Sequence, residues 1–76
     1  MSDTKEIGKR VWSLRKEVMH MTQEEFAELI DTTPETVSNI ERCVVVPSLI
    51  TIIKIAECCK VSADYLLDIK FDNAST

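Results

Sequence analysis

The stretch TTPETVSNIER, residues 32–42, sets Glu35, Thr36, Asn39 and Arg42 along one side of a prospective helix. A carboxylate accepts hydrogen bonds, a guanidinium donates them, and an amide does both. Such a set can meet the base edges and phosphates of a nucleic-acid duplex. It is equally what the wet side of a small helical bundle looks like. Val37 and Ile40 supply the opposite, apolar side. Thr33 is placed to cap this helix, with Pro34 in its first turn, where a missing N–H costs nothing.

A second helix must hold this one in position. TQEEFAELI begins with a capping box, in which the Thr22 hydroxyl accepts from the Glu25 N–H and the Glu25 carboxylate reaches back. Phe26, Ala27, Leu29 and Ile30 are expected to face inward, with Met21 stapled onto Phe26. Asp31 and Thr32 interrupt the pattern, and Asp tolerates a left-handed backbone. Two short helices separated by about three residues, the second polar outside, make the geometry that enters a major groove. Gln23 and nearby backbone N–H groups could hold a phosphate, or simply be solvated.

The remaining elements read as helices too. In residues 4–18, Ile7, Val11, Leu14 and Val18 recur at i, i+4, i+7 and i+11. CVVVP is an extended linker, because the residue before Pro47 is pushed out of the helical region. Ser48 caps SLITIIKIAECC, whose Leu49, Ile52, Ile53 and Ala56 are expected inward while Ile50 and Ile55 widen the stripe. Ser62 caps a last segment, about residues 63–69, with Tyr65, Leu66 and Ile69 for contacts. Residues 1–70 are expected to form one all-α domain of five helices, and residues 71–76 a frayed tail.

Composition narrows the function classes. The 76 residues are 45% apolar and 29% charged, with no apolar run near the ~20 residues of a membrane span. The opening MSDTKEIGKR lacks a signal-peptide core, so a cytoplasmic location is expected. The net charge of −4 argues against sequence-blind affinity for nucleic acid. Lys5, Lys9, Arg10, Arg15 and Lys16 nevertheless gather in the first 16 residues and could form a basic face. Cys43, Cys58 and Cys59 fit no zinc spacing, and only one histidine, His20, is present. They are read as reduced, packed thiols, with a redox switch at Cys43 as the alternative. His20, in a turn, is expected to be exposed and idle. Trp12 and Phe71 are packing residues or part of a dimer contact. There is no phosphate loop, no nucleophile beside a histidine and no metal cluster. No enzyme activity, cofactor, metal or small-molecule substrate is expected.

Residues 7–67, about four-fifths of the chain, resemble the helix–turn–helix domain of the Xre/Cro/C1 family of bacterial and phage repressors, the lambda repressor-like fold. The pieces that carry the resemblance are IGKR and LRKE, then TQEEFAELI, TVSNIER and PSLITIIKIAECCKVSADYLL, in that order and spacing. The resemblance implies an ion pair between Arg15 and Glu41 that locks the first helix onto the third. It implies a phosphate contact at Gln23, base reading around Pro34, Glu35 and Asn39, Thr33 and Thr36 near the backbone, and a phosphate contact at Arg42. Asn39 would pair with adenine N6 and N7, or remain a solvated amide. Glu35 would accept from cytosine N4, or serve only as a favourable charge at a helix N-terminus.

Four features depart from the family's usual form. The turn VMHM is one residue longer, Asp31 and Cys43 stand where Gly is common, Val44 and Val45 replace basic residues, and Pro34 offers no side-chain donor. The resemblance implies a sequence-specific regulator of transcription, a repressor acting as a homodimer on a two-fold symmetric operator in double-stranded DNA. Its dimer contacts are expected in the last helix and tail, through Leu67, Ile69 or Phe71. The alternative is a protein-interaction or antitoxin-like accessory module that binds a partner through Val44, Val45 and Val46, or through the last helix, with DNA binding weak or lost.

Overall fold

A computed structural model of the chain describes residues 4–67. Helix α1 (Thr4–Ser13) runs into a π turn (Leu14–Val18). Then come α2 (Gln23–Leu29), α3 (Pro34–Glu41), α4 (Leu49–Cys59) and α5 (Ala63–Leu67), with no strand among the described residues. The all-α, five-helix expectation therefore holds. Ile69, Phe71 and the expected tail lie outside the described residues.

Local signals in the sequence fix the helix starts. Thr22 Oγ1 accepts from the Glu25 N–H at 3.1 Å, and the Glu25 carboxylate accepts from the Thr22 N–H at 2.9 Å. Thr33 caps α3 with Pro34 at its first position. Ser48 and Ser62 hydroxyls accept from the Thr51 and Tyr65 N–H groups, each at 3.2 Å. The joints close on left-handed residues that are not glycine: His20, Asp31, Cys43 and Lys60, with φ of 57°, 62°, 67° and 59°. Asp31 takes the conformation expected of it, and His20 is exposed in its turn.

The core is Ile7, Val11, Leu14, Phe26, Ala27, Ile30, Val37, Ile40, Ile52, Ile55, Ala56, Cys59 and Leu66. Met21 packs against it, half-buried. Three expectations about facing are corrected. Val18 is 56% exposed. A strict 3.6-residue period ends at Leu14, where the Met19 N–H reaches back five residues to the Leu14 carbonyl at 2.8 Å. That wider turn takes up one more residue, so Met19 rather than Val18 packs onto the core. Leu29 is exposed at the edge of the α2 stripe. In α4 the buried set is Ile52, Ile55, Ala56 and Cys59, and Leu49 and Ile53 point outward. LITIIKI is apolar on almost every side, so periodicity alone could not choose its inner face.

The one glycine has a packing role that sequence reasoning missed. A Cβ on Gly8 would lie 2.6 Å from the Ile40 carbonyl oxygen, 2.7 Å from Cys43 Sγ and 3.0 Å from the Glu41 carbonyl oxygen. Gly8 lets the α1 backbone press against the C-terminal end of α3. On the far side of α1, the Arg10 guanidinium sits 5.7 Å from the centre of the Tyr65 ring and ties α1 to α5.

Candidate nucleic-acid interface

Helices α2 and α3 cross on Phe26, Ala27, Ile30, Val37 and Ile40, all buried. The Thr32 N–H donates to the Ala27 carbonyl at 2.8 Å and closes the turn between them. Small Ala27 and left-handed Asp31 together make the joint tight. The eight residues of α3 span about 12 Å.

One polar network holds this unit to α1. Glu41 Oε2 accepts from Arg15 Nε at 2.6 Å, and Oε1 accepts from Arg15 Nη2 at 3.0 Å. Gln23 Nε2 donates to the same Oε1 at 3.1 Å. Arg15 Nη1 donates to the Met21 carbonyl at 2.8 Å. The side chains of Arg15 and Glu41 are only 7% and 4% exposed. A bidentate, shielded pair of this kind is much stronger than a surface ion pair. The π turn after α1, the turn before α2, the first residue of α2 and the last of α3 thus meet around one ion pair. The resemblance suggested the Arg15–Glu41 pair. The Gln23 and Met21 links to it had no signal in the sequence.

The outer side of α3 is open. Thr33, Pro34, Glu35 and Arg42 are exposed, and Thr36 and Asn39 are half-buried. The Thr33 and Thr36 hydroxyls lie 2.9 Å apart, and Thr33 Oγ1 also accepts from the Thr36 N–H at 3.2 Å. Asn39 Oδ1 accepts from Arg42 Nη1 at 3.4 Å. The Asn39 carbonyl accepts from the Val44 N–H at 2.8 Å, which folds the following loop back onto the end of α3. Two groupings therefore stand on this face: Thr33 with Thr36 at the start, with Glu35 between those two in sequence, and Asn39 with Arg42 at the end.

The charge around this face is mixed. Arg15 is absorbed by Glu41 and Arg10 stands over the Tyr65 ring, so two of the five early cations are already engaged within the bundle. Lys9, Lys16 and Arg42 are exposed. Lys54 reaches Asp31 at 3.5 Å, an exposed pair of small energetic worth that links α4 to the turn. Among the described residues no group of His, Cys, Asp and Glu could hold a metal. Among the described residues no helix is long and apolar enough to cross a membrane.

The cysteines are free thiols. Burial, and then the neighbouring Cys58, push the Cys59 thiol above its ordinary value. Cys43 is half-buried, with its Sγ 3.8 Å from the Glu41 carbonyl oxygen.

Comparison with known proteins agrees with this architecture. No curated protein matches the chain. Among solved structures it is similar to the P22 c2 repressor, crystallised in complex with the synthetic operator 9T in the presence of Tl+. That match has a TM-score of 0.73 at 21% identity, and it covers 80% of this chain and 91% of that one. At this identity the likeness speaks for the fold. Residues 13–66, well over half of the chain, match the family described as helix-turn-helix. The chain belongs to the helix–turn–helix family of the Xre/Cro/C1, lambda repressor-like type.

Proposed function

We propose that the protein is a sequence-specific DNA-binding transcriptional regulator, a repressor that acts as a homodimer on a two-fold symmetric operator with α3 in the major groove. The observation that carries this reading is the open polar face of α3, held rigidly to α1 and α2 through Glu41. The similar P22 c2 repressor, in complex with a synthetic operator, supports it. Asn39 offers an amide for an adenine edge, and Glu35 an acceptor for cytosine N4. Thr33, Thr36 and Arg42 serve the flanking backbone. The Gln23 amide spends one N–H on Glu41 and keeps a second for a phosphate. One copy covers too little groove for tight specific binding, which is why two are required. Repression by occluding polymerase is the simplest mechanism for such a unit, in the cytoplasm and without an enzymatic step.

The test is selection of random duplexes, followed by binding measured at about 50 and about 200 mM salt. A selected site whose affinity falls with salt is expected. Replacing Asn39 by Ala should relax the preference at one base pair, by about 1–3 kcal/mol. A wild-type protein that retains no sequence refutes the reading. The second reading, an antitoxin-like or other protein-interaction module on the same fold, is favoured by the net charge of −4 and the apolar residues 44–46. It predicts a heteromeric complex and no selected site.

A further inference from the structure

Lys16 and His20 play no part in the contacts proposed above, yet they line one cleft. It encloses about 300 Å³ beside the π turn and the start of α2, and its lining is Arg15, Lys16, His20, Met21 and Thr22. Two hydrogen bonds brace it. The Met21 N–H donates to the Arg15 carbonyl at 2.9 Å, and Arg15 Nη1 donates to the Met21 carbonyl at 2.8 Å. Residues 15–21 are thereby closed into a ring, in which His20 is held left-handed at φ 57°. Among the described residues no acid lines the cleft. Glu41 is matched by Arg15, and Glu17 accepts from the Ser13 hydroxyl at 2.7 Å. Glu25 accepts from the Thr22 N–H and, with Glu28, lines a separate cleft across Met21. The exposed Lys16 and His20 and the Thr22 hydroxyl remain as the groups that can meet a ligand.

We propose that this cleft binds a phosphate group between Lys16 and His20, and that protonation of His20 tightens its hold. The lining is cationic and donor-rich, and the braced ring sets its groups in place before an anion arrives, which lowers the cost of binding. Histidine is the side chain type that ordinarily changes charge between about pH 5 and 8. An anion in the cleft therefore meets the Lys16 charge alone at the alkaline end and a second charge at the acidic end. A charge about 4 Å away in water strengthens binding about fivefold, so the hold should tighten as pH falls. Two sources carry the same group: the backbone of a duplex and a free phosphate ester. The duplex as source rests on the DNA reading above and sets Lys16 and His20 near the Gln23 amide. The site itself stands without that reading.

The test titrates the full chain with inorganic sulfate, a phosphate stand-in whose own charge is constant from pH 6 to 8, against chloride at equal ionic strength. The one histidine in the chain gives ring signals that need no assignment. Saturable sulfate binding, about fivefold tighter at pH 6 than at pH 8, is expected. Lys16→Gln should weaken it about as much, and His20→Asn, followed through the Lys16 amide, should lose the pH dependence. Asn tolerates the left-handed backbone, and thermal unfolding confirms that both variants fold. Lys9→Gln, at an exposed lysine outside the cleft, should change neither. A second arm measures a selected duplex at both pH values, with wild type and His20→Asn. If sulfate binding does not respond to pH and the duplex responds equally in both proteins, the proposal is overturned; so it is if Lys9→Gln does as much as Lys16→Gln. A response with sulfate alone assigns the site to a free phosphate ester, and one with the duplex alone assigns it to the backbone. The expected sulfate result without any selected duplex keeps the site and sinks the DNA reading. A selected duplex with neither response keeps the DNA reading and sinks the site.

Discussion

Removing Glu41 should do more damage than removing any surface acid. In Glu41→Leu the Arg15 guanidinium keeps only the Met21 carbonyl, inside a site where its side chain is 7% exposed. Two charge-assisted hydrogen bonds and the Gln23 bond disappear. Stranding a shielded charge in this way costs about 3–5 kcal/mol. For a domain of this size each kcal/mol shifts the Tm by about 4–8 °C, so a fall of about 15 °C or more is expected. Arg15→Met should cost somewhat less, because the remaining carboxylate keeps the Gln23 amide. In the double variant neither charge remains to be stranded, and it should recover much of the combined loss. The assay is urea unfolding followed by circular dichroism for all four proteins, assembled as a double-mutant cycle. A coupling energy of about 2–3 kcal/mol is expected. If Glu41→Leu costs less than about 1 kcal/mol, or the two losses simply add, then the network does not hold the helices together as argued.

Three further outcomes follow from the packing and the turns. Gly8→Ala should destabilise by about 1–3 kcal/mol despite Ala's better helix propensity, because the new methyl meets the Ile40 carbonyl at 2.6 Å; a thermal melt at or above wild type would contradict that close approach. Lys60→Gly should raise stability by about 1 kcal/mol by relieving a left-handed side-chain residue at the end of α4, read as an increase in Tm. Cys59 binds its proton more tightly folded than unfolded, so its contribution is whole below the ordinary thiol value of 9.0 and is lost as pH rises from there through the higher folded value. Stability should therefore drop across that alkaline window, and the drop should be smaller in Cys59→Ala.

What could be read from the sequence was what short-range chemistry decides. Thr22 with Glu25, Thr33 with Pro34, and Ser48 and Ser62 marked helix starts because a cap needs only its own next three residues. Asp31 marked its turn for a similar reason. Facing was legible in α1 up to Leu14 and in α3, where Val37 and Ile40 stand among polar neighbours. It failed in α4, where apolar residues surround the axis and only tertiary contacts pick the buried side. It failed at Val18 because a π turn changes the angle per residue without changing any residue type. For the candidate interface, spacing and family resemblance located Glu35, Asn39 and Arg42 on one outer surface. No sequence pattern could show that Gln23 shares the Glu41 carboxylate with Arg15, or that Gly8 lies against the Ile40 carbonyl, since both depend on segments more than fifteen residues apart.

The widened turn at residues 14–18 gives the first helix slack in its length. It stores one surplus residue ahead of the Arg15–Glu41–Gln23 junction's far partners, at a place where Lys16, Glu17 and Val18 all face water. A chain shortened by one of those three could rewind to ordinary helical pitch and still deliver Arg15 to Glu41. A one-residue deletion here is expected to be absorbed locally, whereas a one-residue slip inside α2 or α3 would rotate every outward group out of its present direction.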